Sequence, residues 1–192
     1  MSVTAMGWCD APWRATQEEA NALETAWIAQ KSKADVQKNG SGLRSPQIDL
    51  IEKTWKVVET LPTETVGVLL FKHIFEAAPQ AAALFSFGRV AGFDPSADHS
   101  KNPAVVKHAT GVVKTVGIAV GMLRKLDDLV PVLKLLGTKH SKYGVVAAHY
   151  PIVGGAFLKT LEVGLGPAYT PEVAEAFTIM WGVVESTMLS GA

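Results

Sequence analysis

Cysteine is nearly absent from this sequence, in which Cys9 is the only one. No disulfide can form within the chain, which fits a reducing compartment and predicts a cytoplasmic protein. An excess of charge is absent too, since 18 Lys and Arg balance 18 Asp and Glu. This balance argues against nucleic acid or an anionic membrane as an electrostatic partner. No apolar run approaches the ~18 residues of a membrane-spanning helix, and the N-terminus lacks the basic start and apolar centre of a signal peptide.

Convincing strand patterns are also missing, and helical spacing is what remains along the chain. Residues 1–44 predict an N-terminal extension, with an amphipathic helix over about 16–38 followed by a Gly- and Ser-rich linker. Thr16 and Glu19 have the spacing of a capping box, and Leu23 and Trp27 belong to an apolar stripe. The stripe fits a helix that covers an apolar patch of its own chain, or one that joins two chains in a homodimer. The spacing leaves both interpretations open.

Residues 45–192 predict one all-α domain of seven or eight helices. We expect helices over about 45–61, 63–78, 103–123, 144–163 and 171–189, and a further one that ends near His140. Prolines and glycines separate these segments, and a loop rich in Gly, Asp and Ser spans about 88–101.

Two histidines on apolar helix faces carry the strongest chemical signal. His108 shares a face with Val105 and Val112, and His140 follows Leu136 by one turn. A buried imidazole needs a partner, so each is either a core histidine bound to the backbone or a ligand aimed into a cavity. Neither helix has a second His or carboxylate one turn away on that face, which disfavours a zinc site. An imidazole on each side of a large, flat, apolar group fits haem.

Five segments of the sequence, in order, resemble the globin family over about residues 47–190. They are "IEKTWKVV", "LLFKHIF" with the following proline and "LF", "NPAVVKHATGVV", "LGTKHSKYGV" and "LGPAYTPEVAEAF". Within the family the resemblance is greatest to neuroglobins. It implies the globin fold, seven to eight helices around a haem b, here preceded by the extra N-terminal helix.

The resemblance also implies roles for individual residues. His140 matches the proximal histidine that binds haem iron, and His108 matches the distal histidine. Phe85 matches the phenylalanine that wedges against the haem ring. The other haem-pocket positions that the resemblance implies are Phe71, Phe87, Val112, Leu136, Lys139, Tyr143, Val145 and Tyr150.

Some positions depart from the neuroglobin pattern. Gly111 stands where neuroglobins carry a basic residue, so a contact to a haem propionate is lost there, and Lys139 or Arg89 is left to supply one. Phe87 replaces a loop tyrosine, and the cysteines that form a loop disulfide in some neuroglobins are absent. Phe71 brings no hydroxyl to the distal pocket, which leaves His108 as the only obvious polar group there.

The predicted function is a bis-histidyl, hexacoordinate haem protein that binds O₂, NO or CO when the gas displaces His108. This function implies an electron donor. It also implies a role in redox chemistry, in reaction with NO or nitrite, or in sensing. A five-coordinate O₂ carrier or store is the alternative, and a haem-less interaction module is a third class. Whether the chain is an enzyme stays open, because NO dioxygenation needs a reductase and none is expected within these 192 residues. Of the remaining histidines, His73 is expected at or near the surface and His99 in a polar loop.

Overall fold

The computed structural model describes residues 42–192, so the predicted helix over 16–38 lies outside the described residues. All regular structure in the described part of the chain is helical, which confirms the predicted all-α class. The α-helices are α1 (Ser45–Val58), α2 (Thr63–Ala77), α3 (Pro103–Gly121), α4 (Leu126–Lys142), α5 (His149–Leu165) and α6 (Pro171–Leu189). Three short 3₁₀ helices are Pro79–Leu84, Phe87–Arg89 and Gly166–Ala168. Within residues 42–192, no helix is both long and apolar enough to cross a bilayer.

Side-chain caps define where two of the helices begin. The Asn102 side-chain oxygen accepts hydrogen bonds from the backbone N–H of Ala104 at 3.1 Å and of Val105 at 3.4 Å. The Thr170 hydroxyl accepts one from the Val173 N–H at 3.4 Å. In both cases the next residue is a proline, which loses nothing at the first helical position because that N–H has no partner inside the helix. The helix start at 103 therefore fixes the rotation of α3, and with it the face that presents His108.

One apolar core joins the six helices. Helix α2 packs on α3 along one side and on α5 along the other, while α4 packs chiefly on α6. The approach of α2 to α3 is very close at Gly67, where a Cβ atom would stand 2.7 Å from the carbonyl carbon of Ala109. Helices α3 and α4 thus belong to different packed layers, and the segment 122–125 connects them.

Arg124 ties that connection to the first helix. Its Nε and Nη2 atoms donate to the two carboxylate oxygens of Glu52, both at 3.0 Å, and Nη2 also contacts Asp49. The pair is exposed to solvent, so its contribution to stability is small. Its bidentate geometry nevertheless fixes the position of the turn between α3 and α4 relative to α1.

The predicted start of the fifth helix near residue 144 is wrong, because α5 begins at His149. Gly144 has a φ of +87°, a left-handed conformation that breaks the preceding helix. Pro151 then lies in the first turn of α5, where its missing N–H is tolerated. Further inside a helix the same proline would remove a hydrogen bond, so α5 has to begin shortly before it.

The expected surface position of His73 is also wrong. Its side chain is only 6% exposed, and Nδ1 lies 2.9 Å from the Thr160 hydroxyl of α5. That hydroxyl donates to the Ala156 carbonyl at 2.7 Å, so it accepts from Nδ1–H of His73. His73 is therefore a core histidine with a side-chain partner on the neighbouring helix.

Candidate functional site

Four aromatic rings form a cluster beside α3, which we call the aromatic cluster: Phe71, Phe85, Phe87 and His108. The centroid of the His108 ring lies 5.4 Å from that of Phe71, 5.2 Å from Phe85 and 6.0 Å from Phe87. All three phenylalanines meet the imidazole edge-on, at interplanar angles of 62–88°. Edge-to-face packing at these distances is favourable for aromatic rings. The structure thus brings together four residues that the resemblance assigns to the haem pocket.

The chain between α2 and α3 positions two members of the cluster. Phe85 follows the 3₁₀ helix Pro79–Leu84, and its ring stacks on Phe87 with a centroid distance of 5.1 Å and an interplanar angle of 1°. The turn is so tight that a Cβ atom on Gly88 would stand 1.9 Å from the Ala82 carbonyl oxygen. Glycine is therefore required at 88 to set the two rings parallel. Nothing in the sequence marks Gly88, since its neighbour Ala82 carries no chemical signal.

His140 lies in the last turn of α4 with one ring nitrogen already engaged. Its Nδ1 is 2.8 Å from the carbonyl oxygen of Leu136, one turn earlier in the same helix. A carbonyl oxygen can only accept, so Nδ1 carries the proton and donates it. The lone pair is then on Nε2, which fixes both the tautomer and the orientation of the ring. Metal-binding imidazoles are typically held by such a hydrogen bond from the second nitrogen.

The surroundings of His108 lower the pKa of its imidazole. Burial of its ring lowers the pKa of His108, and the charge of His140 lowers it further. The His108 side chain as a whole is exposed at the rim of the aromatic cluster, so the desolvation comes from the three phenylalanines against its ring. A lowered pKa keeps the imidazole of His108 neutral at pH 7, which is the form that binds metals. His108 makes no hydrogen bond to any residue in the described range 42–192.

The other predicted pocket residues lie in three environments. Tyr150 is buried, 6% exposed, and burial raises the pKa of its phenol, as does the nearby Glu185. Three apolar positions are half-buried against the core: Val112, Leu136 and Val145. Lys139 is exposed and forms no ion pair with residues 42–192, while Tyr143 is 67% exposed. Arg89 contacts the Ala83 carbonyl at 3.4 Å rather than the aromatic cluster.

A close contact with the C-terminus positions α4. A Cβ atom on Gly137 would stand 1.9 Å from the Met188 carbonyl oxygen, so only glycine lets α4 approach the end of α6. The next residue, Thr138, donates its hydroxyl hydrogen to the Gly191 carbonyl. These contacts hold the turn of α4 that carries His140. Local sequence patterns mark neither residue, because their partners Met188 and Gly191 lie far along the chain.

A cavity of about 550 Å³ opens beside the loop before α3 rather than between the two histidines. Phe93 and His99 form part of its wall, with their rings stacked in parallel at 4.5 Å. Asp94 and Asn102 also contribute to the lining, but each already accepts local hydrogen bonds, from Ser96 and from the start of α3. His99 is thus packed against an aromatic ring in the loop, and its Nε2 is buried without a hydrogen-bond partner among the described residues.

The donor set fits haem better than a metal ion held by side chains alone. Among residues 42–192 no three His, Cys, Asp or Glu side chains converge. Two imidazoles remain, one neutral at the edge of an aromatic cluster and the other with Nε2 directed away from its helix. A haem iron takes its other four ligands from the porphyrin, and an aromatic wall suits the ring. The residues present therefore fit the group.

Comparison with known proteins agrees with this geometry. Residues 68–188 match the globin family. Neuroglobin of Danio rerio is 35% identical over 144 residues, which are 74% of this chain and 87% of the relative. Neuroglobin of Tetraodon nigroviridis is 32% identical over 151 residues, 78% of this chain and 92% of the relative.

Solved structures share the fold at lower identity. A hexacoordinated haem protein from an anhydrobiotic tardigrade superimposes with a TM-score of 0.72 at 18% identity, covering 81% of this chain and 98% of its own. The deoxy haemoglobin of Dasyatis akajei gives a TM-score of 0.63 at 19% identity, covering 78% of this chain and 98% of its own. The fold, the two histidine-bearing helices and the sequence match lead to one conclusion, that this chain belongs to the globin family.

Proposed function

We propose that the chain binds haem b between α3 and α4, with His140 and His108 as the two axial ligands. The observation that carries the proposal is the relation of the two imidazoles. His140 has Nδ1 engaged by Leu136, which leaves Nε2 for iron, while the ring of His108 lies against three phenylalanines and has no hydrogen-bond partner in the described part of the chain. When bound, haem supplies an iron centre that changes oxidation state and binds diatomic gases. Neuroglobins, the relatives at 32–35% identity, support the assignment to this branch of the family.

Apolar side chains would hold the ring. Phe71, Phe85 and Phe87 of the aromatic cluster are placed to pack on the distal side, with Val112 one turn beyond His108. On the proximal side the candidates are Leu136, Val145, Tyr143 and Tyr150. Lys139 is the exposed cation placed to meet a propionate, because it precedes His140 and has no ion-pair partner in the described part of the chain.

We infer that His108 binds the iron itself. Its pocket neighbours are three phenylalanines, and among residues 42–192 no side chain offers it a hydrogen bond that would hold it elsewhere. An outside gas then binds only while His108 is displaced. Its apparent dissociation constant equals the intrinsic value divided by the fraction of protein in which His108 has moved away. Such a site suits redox chemistry, reaction with NO or nitrite, or sensing, more than bulk transport.

The absorption spectrum of the ferric, reduced and CO-bound protein tests this proposal. The reduced, ligand-free protein should show the two sharp visible bands of a six-coordinate haem, and His108→Val should replace them by one broad band. His149→Asn is the matched control, because the asparagine Oδ1 stands where Nδ1 now accepts from the Val146 N–H at 3.1 Å. A broad single band in the unmodified protein would reject coordination by His108, and a missing Soret band would reject haem binding altogether.

A five-coordinate O₂ carrier remains the second candidate because the His108 side chain is exposed at the rim of the cluster. There it has room to rotate outward and return to donate a hydrogen bond to O₂. A slow O₂ dissociation rate that rises in His108→Val, together with five-coordinate reduced haem, would favour this candidate. The absorption spectrum of the reduced, ligand-free protein therefore distinguishes the two candidate functions.

The proposal includes partners and a compartment. A redox role requires an electron donor, and gases such as O₂, NO and CO are the expected ligands. We propose the cytoplasm as the compartment on the basis of the single cysteine. A homodimer through the amphipathic segment of residues 16–38 is part of the proposal on sequence grounds alone.

A further inference from the structure

The zero net charge of the chain conceals a strong separation of charge along it. Residues 99–161, which contain both histidine-bearing helices, hold nine Lys and Arg but only two Asp, a net charge of about +7. Because the whole chain has 18 residues of each sign, the rest carries the opposite charge of about −7. The net charge of the whole chain does not reveal this separation, but the electric field of the positive segment acts on any charged partner.

On α3 the positive charge lies on the outer face. Lys107 and Lys114 are exposed and seven positions apart, two helical turns, so they point in the same direction about 10.5 Å from each other. Helix α3 contains no acidic residue. Neither lysine forms an ion pair with another residue between 42 and 192, which leaves both charges available to a partner. Lys107 directly precedes His108.

The last turn of α4 adds two more cations beside the other histidine. Lys139 directly precedes His140 and Lys142 follows two positions later, and both are exposed. The nearest acids on this helix, Asp127 and Asp128, lie in its first turn, about 20 Å away along the axis. We call the two lysines that share the outer face of α3, Lys107 and Lys114, the basic face.

We propose that the basic face docks an acidic, electron-donating protein. The inference rests on the proposed redox function, to which it adds the charge of the partner. Redox proteins associate through small, transient interfaces of less than about 1,200 Å², and complementary charge raises their association rates. The donor gives up one electron and this protein gains it, with no bond formed and no proton or leaving group transferred.

The distribution of acids favours a compact protein over a membrane or nucleic acid. Asp94 and Asp98 lie in the loop before α3, where Ser96 and Ser100 hydrogen bonds lower the pKa of each carboxyl and keep it charged. Together with Asp127 and Asp128 in the first turn of α4, they stand in the chain on either side of α3, which carries the basic face. An extended polyanion or a flat anionic bilayer would meet these carboxylates, whereas a small acidic patch would not.

Binding of an oxidised plant-type ferredoxin, an acidic one-electron carrier, tests the proposal by titration of the full haem-loaded chain. The variant Lys107→Glu with Lys114→Glu changes two residues outside the haem contacts. We expect this double variant to bind ferredoxin at least about tenfold more weakly. Its reduction by reduced ferredoxin should be slower by the same factor. The rate at which photoreduced lumiflavin, a small uncharged donor, reduces the variant should equal that of the unmodified chain. Raising the salt from about 20 to about 200 mM should weaken binding to the unmodified chain.

The control variant is Lys53→Glu with Lys56→Glu, two exposed lysines of α1 with the same change in net charge. If the control weakens ferredoxin binding as much as the α3 variant, the proposal fails, because net charge rather than the basic face is responsible. If phosphatidylserine vesicles or duplex DNA bind more tightly than ferredoxin and show the same sensitivity to the α3 variant, the proposed partner is wrong. Ferredoxin binding without a Soret band would instead overturn the proposed haem function.

Discussion

His73 has the most constrained protonation state among the described histidines outside the haem site. Burial lowers the pKa of its imidazole, and the positive charge of Lys159 on α5 lowers it further, while Glu76 acts in the opposite direction. Its Nδ1–H already donates to Thr160. The folded protein therefore keeps the ring neutral at a pH where the unfolded chain, with a pKa near 6.5, takes up a proton.

The consequence is a loss of stability on acidification. Between the lowered pKa in the folded state and about 6.5 in the unfolded state, the unfolded chain binds more protons, so the free energy of unfolding falls as pH falls. In His73→Gln, which retains a hydrogen-bond donor, we expect the free energy of unfolding to fall less between about pH 7.5 and pH 5.5. Chemical denaturation of both proteins at the two pH values measures the difference. Equal slopes for the two proteins would show that His73 does not contribute.

At the scale of the helix pair, the crossing of α2 and α3 depends on the missing side chain of Gly67. A Cβ atom there would stand 2.7 Å from the carbonyl carbon of Ala109 and 2.8 Å from its oxygen, and backbone atoms cannot turn aside as a flexible side chain can. Gly67→Ala should force the two helices apart and lower the free energy of unfolding by about 1–3 kcal/mol. Because α2 carries Phe71 and α3 carries His108, the ligand-free spectrum should change as well.

Gly111→Ala on α3 is the matched control. No atom lies within 4 Å of the position its Cβ would take, so the added methyl group meets only open space. Alanine favours the helix over glycine by up to about 1 kcal/mol, and we expect the free energy of unfolding to rise or stay the same. Denaturant titration of Gly67→Ala and Gly111→Ala measures the free energy of unfolding of each variant. Equal destabilisation of both would mean that the helix crossing does not depend on Gly67.

The elements show which features can be predicted from the sequence and which cannot. The starts of α3 and α6 were predictable, because Asn102 and Thr170 cap the helices that directly follow them. The burial of His73 was not, since its partner Thr160 lies 87 positions later. For the candidate site, spacing alone places His108 and His140 on apolar faces. The effect of the phenylalanines and of His140 on the pKa of His108 depends on how the helices pack, which local patterns do not encode.

At the scale of the whole molecule, the N-terminal extension has a natural point of separation from the helical domain. Leu43 is 6% exposed and belongs to the core, so a cut between residues 41 and 42 keeps every core residue of the described range. We expect residues 42–192 to bind haem with the same spectrum as the full chain. If the extension joins two chains, the full chain should sediment as a dimer and residues 42–192 as a monomer.

Two double variants of the full chain separate dimerisation by the apolar stripe from a general effect of charge. Leu23→Glu with Trp27→Glu places two carboxylates on the stripe, whereas Thr25→Glu with Ala29→Glu places two on the opposite face of the same predicted helix. A stripe that pairs two chains cannot desolvate charges at its centre, so the first variant should be monomeric and the second dimeric. Sedimentation velocity at several protein concentrations distinguishes them. A full chain that is monomeric at every concentration would favour the other interpretation of the stripe, a helix that covers an apolar patch of its own chain.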